Sequence, residues 1–227
     1  MPHVTHVSDL RVGRGTGRGT RFGVLGLDVV VGQRYTITPA AIATGAVCAT
    51  QSAAAAGNLT INGTLASGGV ATLDVPRAVT VTSTGDDSSV NITITGTDTY
   101  GETLVWTTTG PNAASTTSPK AFKTVTQVAV DTAVVSTLIA IGTGDRFGFP
   151  LKMAKRSDAL IWWDGTLTTT SSGFTAADAT GSAKSGDVRG TYAVQSVSDG
   201  TKVLDMVIFS ADPDTTTGLY GSAQFSG

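Results

Sequence analysis

Histidine, cysteine and paired carboxylates are the side chains that most often do chemistry, and this chain spaces them poorly for it. His3 and His6 form a His-x-x-His pair whose only nearby carboxylate is Asp9. A structural or catalytic metal site takes three or four such ligands, so the pair alone predicts none. Cys48 is the only cysteine, and the body of the chain has no histidine. Neither a Cys–His nor a Ser–His–Asp nucleophile can be assembled there. Asp86 with Asp87, and Asp212 with Asp214, bring carboxylates together as acid–base or Ca²⁺ chemistry requires. Both pairs sit in turn-like sequence, Gly-Asp-Asp-Ser-Ser and Ala-Asp-Pro-Asp, where aspartate bonds its own backbone. These residues predict a protein that is not an enzyme and carries no cofactor and no metal.

The first 23 residues suggest contact rather than catalysis. Arg11, Arg14, Arg18 and Arg21 are interleaved with Gly13, Gly15, Gly17 and Gly19, and no hydrophobic period accompanies them. Glycine at every second position fits neither phosphate-binding fingerprint, and no strand-to-helix context follows. Phe22 is the one aromatic nearby, too few for a platform on which bases stack. The segment is expected to be an extended basic arm that docks on a partner through these four arginines and Phe22. Residues 1–27 carry a net +3 and the remainder −5, giving −2 overall. General attraction to nucleic acid or to a membrane is not expected from that balance.

The elements that must carry such an arm are strands. Thr (39 residues) and Gly (28) dominate, while Glu occurs once and Lys six times, so good helix formers are scarce and β-branched residues abundant. One Ala-rich stretch, 43–57, is expected to form a short helix. From 58 to 143 strand-length apolar–Thr runs alternate with Gly, Asp, Asn and Pro turns at a spacing of roughly 8–12 residues, the pattern of a sandwich. Val79 and Val81 alternate with Thr80 and Thr82, and Ile92 and Ile94 with Thr93 and Thr95. Alternation places one apolar face inward and one threonine face outward. The expected fold is all-β: an antiparallel β-sandwich of immunoglobulin-like style, a second β-rich region and the N-terminal arm. Residues 1–57 are expected as arm and lead-in strands, 58–143 as the sandwich, and 144–227 as a C-terminal β domain with a terminal strap.

In the C-terminal region Trp162 and Trp163 are adjacent, so a strand would turn one inward and the other toward solvent or an interface. Asp199-Gly200, between two apolar-alternating runs, is the hairpin signal that stands out. Tyr220 and Phe225 lie in the final ten residues, expected as a short strand or strap, and join Trp162 and Trp163 as candidate interface residues. No apolar run reaches the roughly 18 residues of a membrane helix. The N-terminus has no apolar core of signal-peptide length, so synthesis and initial residence in a cytoplasm are expected.

Two stretches carry a family likeness. Residues 83–130 run from a Gly-Asp-Asp-Ser turn through Gly-Thr-Asp, a strand ending in Thr-Gly-Pro-Asn-Ala, and a Lys-Ala-Phe-Lys-Thr-Val-Thr strand. Residues 144–153 (GDRFGFPLKM) and 186–206 (GDVRGTYAVQSVSDGTKVLDM) form the second stretch. Together they resemble tailed-bacteriophage virion structural proteins. The resemblance implies a decoration (cement) protein on the capsid exterior, with the major capsid protein and other copies of itself, expected as a trimer, as partners. A tail, collar or head–tail component is the neighbouring possibility. A carbohydrate-binding module stacking sugars on Trp106, Trp162 or Trp163 is the alternative from a different class.

Overall fold

The computed structural model describes residues 20–22, 27–29, 32–178 and 186–209. Arg11, Arg14, Arg18, Tyr220, Phe225, both histidines and the Asp212/Asp214 pair lie outside them. Arg21 and Phe22 fall in a small antiparallel ladder between β1 (Thr20–Phe22) and β2 (Leu27–Val29), so the last residues of the expected arm have strand backbone.

The chain is nearly all β and its ladders are antiparallel, an open sandwich-like arrangement as expected. After β3 (Gly32–Ile37) come β4 (Cys48–Ala53), β5 (Gly57–Asn58), β6 (Ala66–Ser67) and the long β7 (Val70–Ser83). Then follow β8 (Asn91–Thr97), β9 (Thr103–Thr109), β10 (Ser115–Thr117), β11 (Phe122–Val130) and β12 (Val134–Gly148). A 3-10 turn, Arg156–Asp158, leads into β13 (Ala159–Trp163) and β14 (Thr166–Thr168). The last described strands are β15 (Phe174–Thr175), β16 (Thr191–Ala193) and β17 (Leu204–Phe209).

Eleven strands form one sheet with the path β15-β16-β12-β7-β11-β8-β9; off this path β4 pairs with β12, β5 with β11, and β6 and β10 with β7. β9 and β4 are far apart in that order, yet Leu104 and Trp106 of β9 and Cys48 of β4 share one core with Val79, Val81, Ile92, Ile94, Ile139 and Ile141. The sheet therefore curves around its core. The alternation of valine or isoleucine with threonine sets this up, because residues two apart share a face. Gly96 lets β8 and β11 close together: a Cβ there would come within 1.9 Å of the Thr124 carbonyl oxygen.

The second core contains Phe147, Phe149, Leu151, Met153, Ile161, Trp163, Tyr192, Leu204, Met206 and Ile208. It lies against a four-stranded sheet of order β14-β13-β17-β3. The boundary expected between residues 143 and 144 falls inside β12, whose first half packs in one core and whose end, Phe147, packs in the other.

Two local expectations are corrected. Residues 43–57 contain no helix; β4 runs through them and pairs with β12. Val47 and Cys48 are fully buried in the first core, and the Gln51 side chain bonds both N–H and C=O of Thr60 at 3.0 and 2.8 Å. Long-range burial and pairing outweigh alanine's helix preference, which is a local bias that tertiary context overrides. The Asp199-Gly200 turn exists, with Gly200 at φ 86, but it joins no hairpin. β16 before it belongs to the large sheet and β17 after it to the small one. The Asp199 carboxylate bonds the N–H groups of Thr201 and Lys202 at 2.9 and 3.0 Å, and the Gly200 N–H bonds Pro39 O at 3.2 Å. The turn is thus tied to the loop after β3, and the chain crosses between sheets there.

Candidate functional site: the outer face of the four-stranded sheet

β13 places Ala159, Ile161 and Trp163 inward, and Leu160 and Trp162 outward. β17 likewise buries Leu204, Met206 and Ile208, leaving Asp205, Val207 and Phe209 on the other face. The two strands and their neighbours are in register, so side chains of one face line up in rows across the sheet. Leu167, Trp162, Asp205 and Thr36 form one row; Leu160, Val207 and Arg34 form the next. The hairpin β13–β14 is closed by Asp164 and Gly165, at φ 50 and 75. Both left-handed residues suit the type I′ turn that Asp-Gly favours. Sequence reasoning missed this Asp-Gly pair, although it stands directly beside the two tryptophans.

The expected split of the tryptophan pair is found. Trp163 is buried, stacks on Phe147 with centroids 6.4 Å apart, and donates its indole N–H to Ser196 Oγ at 2.8 Å. Trp162 is half-buried on the outer face and borders an open hollow of about 500 Å³ with Arg34, Gly165, Val203, Asp205 and Val207. Trp106, only 4% exposed, lies in the first core. Neither Trp106 nor Trp163 can serve as an exposed stacking platform, which leaves Trp162 alone for that role.

Arg34 and Asp205 provide the polar centre of this face. Arg34 Nε donates to both carboxylate oxygens at 2.9 and 3.1 Å, Nη2 donates to Oδ2, and Thr36 Oγ1 adds a bond of 3.1 Å to Oδ1. The guanidinium holds the Asp205 carboxyl below the usual carboxylate range, and the carboxylate raises Arg34 in turn. The pair is fixed as an ion pair at neutral pH and is no acid–base couple. Around it Leu160 and Leu167 stay 41% and 42% exposed.

A second constellation is buried. Arg189 and Asp98 are each 2% exposed and ion-paired through Nη2 and Oδ2. The guanidinium lies over the Tyr100 ring, 4.7 Å from its centroid. Tyr100 donates its hydroxyl to Pro150 O at 2.7 Å. The Asp187 carboxylate accepts N–H bonds from Ala121 at 3.2 Å and from Arg189 at 2.9 Å. Fully buried Lys120 is pushed down by desolvation, against the pull of Asp187 and Asp178. Four separate chain segments, at Asp98–Tyr100, Lys120–Ala121, Pro150 and Asp187–Arg189, therefore meet in one place.

In the acidic turn Asp86 bonds local backbone as expected, whereas Asp87 bonds side-chain hydroxyls. Asp86 Oδ1 accepts the Ser88 N–H at 3.0 Å, while Asp87 accepts from Ser83 Oγ and, at 2.6 Å, from Thr137 Oγ1. Among the described residues no group of three or more His, Cys, Asp or Glu could hold a metal ion. No helix among them is long and apolar enough to cross a membrane.

No family model, curated protein or solved structure matches this chain.

Proposed function

We propose that this chain is a non-enzymatic structural protein of a tailed-phage virion, which binds the outside of the capsid shell and reinforces it. The observation that supports the proposal most is the meeting of motifs around Arg189. The Gly-Thr-Asp turn, the Lys-Ala-Phe-Lys segment, the Phe-Gly-Phe-Pro segment and the Gly-Asp-Val-Arg-Gly segment carry the likeness to phage virion proteins, and they come from both stretches of the sequence. They converge on Asp98, Tyr100, Ala121, Pro150, Asp187 and Arg189 as one bonded cluster. The segments that carry the likeness are distant in sequence and lock together in this chain, and that convergence is what supports the proposal.

The outer sheet face suits a protein whose work is contact. It offers half-exposed tryptophan, leucine and arginine, and of these tryptophan and arginine are enriched where binding energy concentrates. Weak contacts of this kind add up when many copies occupy a lattice. Purified protein mixed with expanded and unexpanded shells is expected to co-sediment with at least one of them; binding to neither rejects the proposal. A tail or collar role differs in copy number, with few copies per particle in place of many.

A glycan-binding role is the second reading, and it is favoured by one observation: the Trp162 indole borders a hollow containing a fixed guanidinium–carboxylate pair. Binding on a glycan array that is lost in Trp162→Ala supports this reading, and an array without binding removes it.

A further inference from the structure

The outer face of β14-β13-β17-β3 is divided along its rows. Its apolar part is Leu160, Leu167 and Trp162 on β13 and β14, and its charged part is the Arg34–Asp205 pair on β3 and β17. The pair is neutral as a unit but has direction, with the positive end on the edge strand β3 and the negative end one strand inward. A partner surface charged strongly in one sense would face like charge at one of these two residues. A surface carrying the same pair in the reverse direction would face opposite charge at both.

A second copy of the chain, related by a two-fold axis through the face, is such a surface. The operation sets Arg34 of each copy against Asp205 of the other. It also brings apolar side chains of both copies into the same contact, as an isologous interface requires. We propose that this face is a self-association surface on which a second copy packs about a two-fold axis.

The size of the face sets the strength of the contact. Strands of 3, 5, 6 and 6 residues at ~3.3 Å per residue and about 4.8 Å apart give a face on the order of 300 Å² per copy. That is well under half the area per partner of a standard stable interface, which buries about 800 Å² on each side. Association is therefore weak between free molecules and becomes effective when copies are held side by side. The inference stands on the face alone and does not depend on the shell-binding proposal.

Sedimentation of the full chain from about 10 μM to about 1 mM spans the affinities of interfaces this small. A reversible monomer–dimer equilibrium is expected, and Leu160→Asp is expected to abolish it. Arg34→Glu and Asp205→Arg should each fail to self-associate, while their equimolar mixture forms a heterodimer, because one face then carries two acids and the other two bases. Near-UV circular dichroism checks that each variant is folded; if a charge variant is not, Leu160→Ser with Leu167→Ser replaces it and is expected to abolish dimerisation. A single monomeric species up to about 1 mM, a trimer as the end state, or a dimer indifferent to Leu160→Asp overturns the proposal.

Discussion

The Arg77 guanidinium lies over the ring of Phe147, 5.2 Å from its centroid, and Arg77 is wholly buried. The residue sits just after Pro76, where β7 loses its register with both neighbours. Proline has no N–H to give to a ladder. The Arg77 side chain supplies donors there instead: Nε bonds Gly144 O at 2.9 Å, Nη1 bonds Ala40 O at 2.9 Å, and Nη2 bonds Asp145 Oδ1 at 2.9 Å and Ser198 Oγ at 3.1 Å. It thus joins β7, β12, the loop after β3 and the loop before β17 at the junction of the two cores. Arg77→Met is expected to destabilise the fold by about 3 kcal/mol, since it leaves Asp145 and Ser198 without their cation. Urea denaturation measures this, and Arg34→Met on the outer face serves as the control that leaves the midpoint nearly unchanged.

Gly96 stands where β8 and β11 pass too closely for a side chain. A Cβ at this position would lie 1.9 Å from Thr124 O, a backbone atom, so no rotamer change relieves the clash. Gly96→Ala is expected to cost about 1–3 kcal/mol, the usual range for overpacking. The same denaturation experiment reads it, with Gly101→Ala, where a Cβ meets nothing within 4 Å but φ is 86, reporting backbone strain alone.

Burial pushes the Cys48 thiol up to about 12. At pH values near 8 the thiol is therefore protonated and enclosed, and the thiolate is the reactive form. Native protein is expected to resist a thiol-specific reagent, with labelling appearing in step with unfolding in denaturant. Fast stoichiometric labelling of the native chain contradicts that burial.

Asp199 is held at about 2, first by the Lys202 N–H and then by the N–H and hydroxyl of Thr201. A carboxyl depressed from its ordinary 3.8 adds stability above the unfolded value and loses it as pH falls through the folded one. Asp131, bonded by Asn91, and Asp205, bonded by Arg34, are lowered in the same sense. The thermal midpoint should be flat above about pH 5 and decline between about pH 4 and pH 2. Asp199→Asn, which keeps an acceptor at the turn but does not titrate, is expected to make that decline shallower.

Much of the first core was legible because its signal is local. Val79, Val81, Ile92 and Ile94 announce their inward face by alternation alone, and all are buried. The split of Trp162 and Trp163 follows from the same rule. The short helix expected at 43–57 failed because nothing local reveals that Cys48 pairs across the sheet with Ile141, some ninety residues away. The Asp199-Gly200 hairpin failed for a related reason: turn chemistry fixes a reversal, whereas the sheet that each flanking strand joins is a tertiary matter. Asp164-Gly165 carried the same dipeptide and did close a hairpin. Arg34 gave no signal at all, because its partner Asp205 is brought to it only when β3 and β17 pair.

The most direct test of a shell-binding role is the position of the protein on the particle that carries it. A labelled copy of this chain, imaged at low resolution on intact virions, is expected to mark many sites distributed over the outside of the capsid. Label confined to the tail or to a single vertex, or absent from the particle, contradicts the account.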